Sequence, residues 1–244
     1  MIVFVHGVPE TAAIWRKVRA AIDRPSVALE MPGFGCPRPE GFGATKDDYV
    51  RWLLGEVEAI GEPVDLVGHD WGGGVTYGVA TQHGDRIRSW AADIANLAHP
   101  DYEWHDFAKV WQTPGEGEAF FEAQEAQAPQ ERAAGLAAIF GLSEEDALEM
   151  ASGGDATMGG CILDLYRSAT PNVHASWGPW STTVAPGLVL VPTADPFGDE
   201  ELATEMAAAF GAQVARLEGA GHFWPYSSPE AGAEALERFW ASLS

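Results

Sequence analysis

Four short apolar runs, IVFV (2–5), PVDLVGH (63–69), RSWAADIA (88–95) and GLVLVPT (187–193), are separated by helical or loop-rich sequence. That alternation restricts the chain to a mainly parallel sheet covered by helices, because parallel neighbours need long crossovers and strands buried on both faces read as unbroken apolar runs. SVALEM (26–31) and AQVARLE (212–218) supply two further strands. The expected fold class is therefore α/β with about six strands, a usual size for one sheet. DDYVRWLLGEVEAIGE spaces Val50, Leu53, Leu54 and Val57 at helical intervals, and Gly61 stands where that helix should stop.

Between about His99 and Trp180 the pattern changes to helical pieces: WHDFAKVWQ, EAFFEAQEAQAPQERAAGLAAIF, SEEDALEMA and CILDLYRSA. The strand pattern resumes only at GLVLVPT. Neither flank alone completes a core, so residues 1–98 and 181–244 are expected to form one core domain, with 99–180 inserted as a helical cap. A length of 244 residues suits a single α/β domain.

Fourteen Lys and Arg against 36 Asp and Glu give a net charge of −22, which repels nucleic acid and anionic membrane surfaces. No apolar run approaches the roughly 18 residues of a membrane span. Cys36 and Cys161 are too few for a disulfide framework, and the start MIVFVHG carries no basic and apolar leader, so a cytoplasmic setting is expected. A small neutral or cationic molecule is the partner such a chain suits, acting as a monomer or homodimer. Met1 adjoins the first strand, which implies a shortened sheet with SVALEM at its edge or covered by a partner.

In open α/β sheets ligands gather beyond the carboxyl ends of the strands. Three polar residues stand there: Asp70 after VDLVGH, Asp195 after LVLVPTA, and His222 in GAGHFW after the last strand. Gly68-His69-Asp70-Trp71-Gly72 brackets Asp70 with glycines, which let a strand and a helix approach closely around a tight turn. Each residue also has a plainer reading. Asp70 could cap the following helix, and Asp195 could be a turn residue in ADPFGDE.

The order Asp70, Asp195, His222 and the glycine-bracketed turn resemble the α/β-hydrolase superfamily, over nearly the whole chain. Its elbow is normally G-x-S-x-G, and here aspartate takes the serine's place. HGVP, His6 to Pro9, resembles the HG-x-P turn of epoxide hydrolases and haloalkane dehalogenases. The resemblance implies a cis Val8-Pro9 bond, an oxyanion hole from the Val8 and Trp71 amides, and structural hydrogen-bonding roles for His6 and His69. It implies no metal and no organic cofactor. Asp93, in AADIAN, is the alternative acid, because some dehalogenases place the acid after that earlier strand.

An aspartate is ionised at neutral pH and can attack a saturated carbon without a base. Asp70 would form an alkyl ester, and His222 oriented by its acid would activate water to cleave it. Epoxide hydrolases add two cap tyrosines that hydrogen-bond the leaving oxygen. LDLYRSATPN resembles the segment of the second and assigns that role to Tyr166; HDFAKVWQTPG resembles the segment of the first but carries Phe107, with Tyr102 or His105 as possible replacements. A dehalogenase would instead hold halide with Trp71 and a cap tryptophan, Trp104 or Trp111. Phe107, Trp104, Trp111 and Phe223 are the expected walls of an apolar substrate pocket. Fluoroacetate dehalogenases normally carry Arg after the nucleophile, which HDWGGG lacks. Tyr166 tips the reading to hydrolysis of small apolar epoxides, with haloalkane dehalogenation and a non-catalytic ligand-binding fold as the alternatives.

Overall fold

The computed structural model describes residues 1–243. Six strands form one sheet: β1 Ile2–Val5, β2 Ser26–Leu29, β3 Asp65–Gly68, β4 Ser89–Ala92, β5 Gly187–Pro192 and β6 Gln213–Leu217. They lie in the order β2-β1-β3-β4-β5-β6, and every pairing is parallel. The four central strands are buried throughout, which is why they read as unbroken apolar runs, while β2 and β6 are the half-buried and largely exposed edges.

Alternate residues of each strand face opposite sides of the sheet. Val3, Val5, Leu66 and Val189 share one core with α2 Lys46–Ile60, α3 Trp71–His83 and α10 Glu200–Phe210. Ile2, Phe4, Val67 and Leu190 share the other with α1 Arg16–Ala21 and α12 Pro229–Ser242, the latter preceded by the single turn α11 Trp224–Ser227. Helix α2 begins with a capping box, in which Thr45 and Asp48 exchange hydrogen bonds, and ends at Gly61 with φ 71°. Only glycine takes that left-handed cap without strain. Val50, Leu53 and Val57 are buried as their spacing predicts; Leu54 is half-buried.

The chain runs from β1 outward to β2, then back across β1 to β3. This reversal opens a crevice at the carboxyl ends of β1 and β3, where ligands bind in such sheets. The register pairs Val5 with Gly68, so the HGVP turn after β1 and the turn at Asp70 after β3 emerge side by side.

Six helices lie between β4 and β5: α4 Asp106–Gln112, α5 Glu116–Glu125, α6 Pro129–Phe140, α7 Glu144–Gly153, α8 Ala156–Ser168 and α9 His174–Trp177. The segment EAFFEAQEAQAPQERAAGLAAIF is two helices rather than one piece. Pro129 starts the second, where its missing N–H is not needed. Among the described residues no helix is long and apolar enough to cross a membrane, and both Cys36 and Cys161 are free thiols.

Candidate active site

Asp70 sits at φ 50° and ψ −122°, a strained conformation for a residue with a Cβ. The glycines on either side permit it. A Cβ on Gly68 would collide with the Gly72 carbonyl, and one on Gly72 with the Val5 carbonyl. Although Asp70 occupies the N-cap position of α3, its side chain makes no capping hydrogen bond. The capping alternative is therefore wrong. The carboxylate turns instead toward the β1 turn, where Oδ1 accepts the Val8 N–H at 2.9 Å. The Trp71 amide is the first of α3, one of the N–H groups a helix leaves without an intrahelical partner. The Val8-Pro9 bond is cis.

On the other side of the carboxylate, Oδ2 of Asp70 lies 3.8 Å from Nε2 of His222. His222 Nδ1 is 2.9 Å from Asp195 Oδ2, and the other Asp195 oxygen accepts the Phe197 N–H at 2.8 Å. All three side chains are largely withdrawn from solvent. Burial pushes the Asp70 carboxyl up to about 6, against the pull of the neighbouring His222. For His222, burial disfavours the charged ring, but the hydrogen bond and charge of Asp195 outweigh it and hold the pKa above the ordinary histidine value.

Among the described residues no hydrogen bond or ion pair joins His222 to Asp93. Its Oδ1 accepts the Asp70 backbone N–H at 2.8 Å, and its Oδ2 lies 2.6 Å from both His69 Nδ1 and the Trp224 indole nitrogen. The alternative assignment of Asp93 as the acid is thereby corrected: it fastens the elbow. His69 is fully buried between Asp93 and Glu10, whose Oε1 pairs with Nε2 at 3.0 Å. Burial disfavours its charge, yet the two carboxylates raise its pKa well above the usual value. Glu10 in turn accepts the Gly7 N–H at 2.8 Å through Oε2. Sequence reasoning passed over Glu10; the usable signal was that Glu10, His69 and Asp93 each follow the end of one of three adjacent strands. His6 is structural, its Nδ1 2.8 Å from the Gly7 carbonyl and its Nε2 accepting the Met31 N–H.

Atoms of Glu10, His69 and His222 lie within 4.8 Å of one another, the one grouping among the described residues with the composition of a metal site. Within that group Nε2 of His69 already pairs with Oε1 of Glu10 at 3.0 Å, and Nδ1 of His69 and of His222 are held by Asp93 and Asp195.

Asp70 and His222 open into a cavity of about 460 Å³ beneath the inserted helices. Its walls include Phe107, Trp111, Phe140, Tyr166, Phe223 and His105. Trp104 is not among them. It stacks on Trp71 at 5.9 Å and its indole faces the Ala169 carbonyl at 3.4 Å, which corrects its assignment to the pocket wall. Trp111 lines the cavity with its ring, but its indole nitrogen is enclosed and has no hydrogen-bond partner among the described residues. Tyr166 packs edge-on to Trp71 and Trp111; burial, then the Asp70 charge, raise its phenol pKa well above normal. Tyr102 lies outside the cavity wall. His105 Nδ1 accepts the Ala108 N–H at 3.2 Å as the cap of α4, and burial lowers its pKa to about 4. The ring is therefore neutral with its proton on Nε2.

The sequence matches the alpha/beta hydrolase family over residues 2–235. Among curated proteins, a stretch of 105 residues is 36% identical to haloalkane dehalogenase 2 of Mycobacterium bovis, covering 38% of this chain and 36% of that one. A haloalkane dehalogenase of Bradyrhizobium diazoefficiens is 26% identical over 49% of this chain and 44% of its own. The matched stretches thus span less than half the length of these relatives. The (E)-2-((N-methylformamido)methylene)succinate hydrolase of Acinetobacter baylyi is 24% identical over 97% of this chain and 88% of its own. Among solved structures, an epoxide hydrolase from Vigna radiata superposes with a TM-score of 0.80 at 20% identity, covering 99% of this chain and 91% of that one. A haloalkane dehalogenase variant from Bradyrhizobium elkanii gives 0.72 at 20% identity, covering 100% and 91%.

Proposed function

The chain belongs to the alpha/beta hydrolase family, and we propose that it opens small apolar epoxides to vicinal diols through an ester on Asp70. The observation that carries this reading is the pair of hydrogen-bond donors, Tyr166 and the Nε2–H of His105, in the wall of the cavity that holds the Asp70 carboxylate. An epoxide oxygen needs such donors as the ring opens; a halide needs two ring N–H groups. Trp104 is turned to Ala169 and Trp111 is enclosed, so Trp71 has no indole partner for that task. His105 fills the role left open by Phe107.

In the first step Asp70 Oδ2 attacks an epoxide carbon, the C–O bond breaks, and the oxygen takes up a proton by way of Tyr166 and His105. Asp70 Oδ1 stays in the hole formed with the Val8 N–H, which with Trp71 N–H stabilises the later tetrahedral oxyanion. His222, oriented by Asp195, removes a proton from water, and the resulting hydroxide cleaves the ester. The helices of residues 99–180 serve as the cap that shields the ester from bulk water, and Phe107, Phe120, Phe121 and Phe140 suit an apolar substrate. No metal or cofactor has a part in this scheme, and all its residues come from one chain.

A panel of terminal and aryl epoxides is expected to give diols, and Tyr166→Phe to slow ester formation about 100-fold or more, the usual effect of removing a general acid. The partial identity to haloalkane dehalogenases supports a second reading with the same Asp70 attack. Chloride or bromide release from haloalkanes, with no diol from any epoxide, would decide for it.

A further inference from the structure

One enclosed amide beside the acid loop has no part in the scheme above. Asn96 lies three residues beyond Asp93, in the 3-10 turn Ala95–Ala98 that follows β4, and is 1% exposed. Its Nδ2 donates to the Phe197 carbonyl at 3.0 Å. A carbonyl only accepts, so the nitrogen is the end of the amide that faces Phe197. At the other end Oδ1 is enclosed, with no hydrogen-bond partner among the described residues. A leucine would fill similar space and leave no polar atom unmatched, so what the amide contributes here is its bond to Phe197.

That bond reaches the loop that carries the acid. Ala194, Pro196 and Gly198 around Asp195 are exposed, and among the described residues no other hydrogen bond ties residues 196–198 to a different element. Phe197 is thus held from outside by its carbonyl, while its N–H holds Asp195 Oδ1 at 2.8 Å and Asp195 Oδ2 lies 2.9 Å from His222 Nδ1. We infer that Asn96 is a positioning residue for the acid: through the Phe197 backbone it fixes the direction in which Asp195 presents its carboxylate to His222. The inference rests on the proposed Asp70 ester, whose cleavage is the step in which His222 Nε2 takes a proton from water. Asn96 does not line the cavity that holds Asp70, touches no reacting atom and exchanges no proton. Without its bond the loop turns more freely, and an acid that keeps its charge but loses its aim leaves the imidazole less well oriented. The Phe197 ring stays packed between His222 at 4.9 Å and His105 at 4.6 Å, so the groups that open the epoxide keep their places.

Rapid-quench mass spectrometry of the intact protein, mixed with an epoxide that the unaltered protein turns over, follows ester formation and ester hydrolysis separately. In Asn96→Leu, which keeps the bulk and removes the donor, ester formation should stay within about threefold while hydrolysis slows about tenfold or more, so the ester accumulates. Asn96→Ala, which adds no bulk, serves if the leucine variant does not fold. A double-mutant cycle then separates aim from general loosening. If Asn96 acts through Asp195, removing the amide in an Asp195→Asn background should slow hydrolysis by less than about twofold further, because the carboxylate it aims is gone. Unchanged hydrolysis in the single variants, parallel loss in both steps, or an undiminished loss in the Asp195→Asn background would overturn the inference. The His222→Gln variant tests the underlying scheme: if it traps ester on Asp70 while the Asn96 variants hydrolyse normally, only the role of Asn96 fails, whereas no trapped ester with any epoxide removes both.

Discussion

Asp93 and Asp195 look alike in the sequence, and their contacts predict opposite phenotypes. Asp93 is wholly buried and matches three donors: the Asp70 amide, His69 and Trp224. Asp93→Asn preserves volume but places an amide NH2 against N–H groups and leaves the His69 charge with Glu10 alone. Breaking one side of a buried ion pair costs about 3–5 kcal/mol. With unfolding entropy near 2.1 cal/mol/K per residue, a chain of 244 residues has about 0.5 kcal/mol/K, so a loss of about 4 kcal/mol lowers Tm by about 8 °C. Asp195 touches His222 and its own turn, and Asp195→Asn should leave Tm within about 2 °C, the scale of one lost hydrogen bond, while ester hydrolysis falls on the order of 10³–10⁴-fold. Differential scanning calorimetry and single-turnover kinetics on the two variants measure both effects. An unshifted Tm for Asp93→Asn, or a large kinetic loss for it with none for Asp195→Asn, would refute the division of labour.

In the proposed scheme ester formation requires ionised Asp70, whose carboxyl burial pushes up to about 6; the burst rate should be level above that pH and fall about tenfold per unit well below it, as measured by quench-flow across pH. The buried trio gives stability its own pH window. Burial opposes charge at Asp93, but His69 lowers its pKa below the ordinary value, so its contribution is present above about pH 4 and lost as pH falls through the lowered value. His69, with a raised pKa, contributes fully below about 6.5 and loses that contribution as pH rises through its folded value; urea melts from pH 3 upward should show a maximum between these limits. Gly72→Ala should abolish soluble folded protein or lower Tm by more than Asp93→Asn, because its Cβ meets the β1 backbone rather than a movable side chain, and circular dichroism of the purified variant reports it.

The strands were legible because the central ones are buried on both faces and leave unbroken apolar runs. Asp70, Asp195 and His222 were legible because each follows a strand and carries unmistakable chemistry. The choice between Asp195 and Asp93 was not, since both follow strands and only the fold brings one to His222 and the other under the elbow. Glu10 was hidden for a similar reason: its ion-pair partner His69 comes from the β3 turn far along the chain, and a lone Glu after proline reads as a solvated turn. Trp104 misled because an indole in a helical insertion gives no sign of which way it faces. That Phe107 stands where the resemblance to epoxide hydrolases would place a tyrosine was visible, but that His105 could donate emerged only with the Ala108 cap, which fixes the proton on its other nitrogen.

The twisted backbone at Asp70 sets function against robustness. A non-glycine residue held in such a region carries about 1–3 kcal/mol of strain, and here the surroundings also disfavour the charge of its carboxylate. If Asp70 carries the proposed reaction, most descendants that lost it could keep the shape more easily than the parent, since relaxing this single corner would harden the molecule against heat. Persistence of the aspartate in any lineage is then itself a sign that the chemistry is under selection.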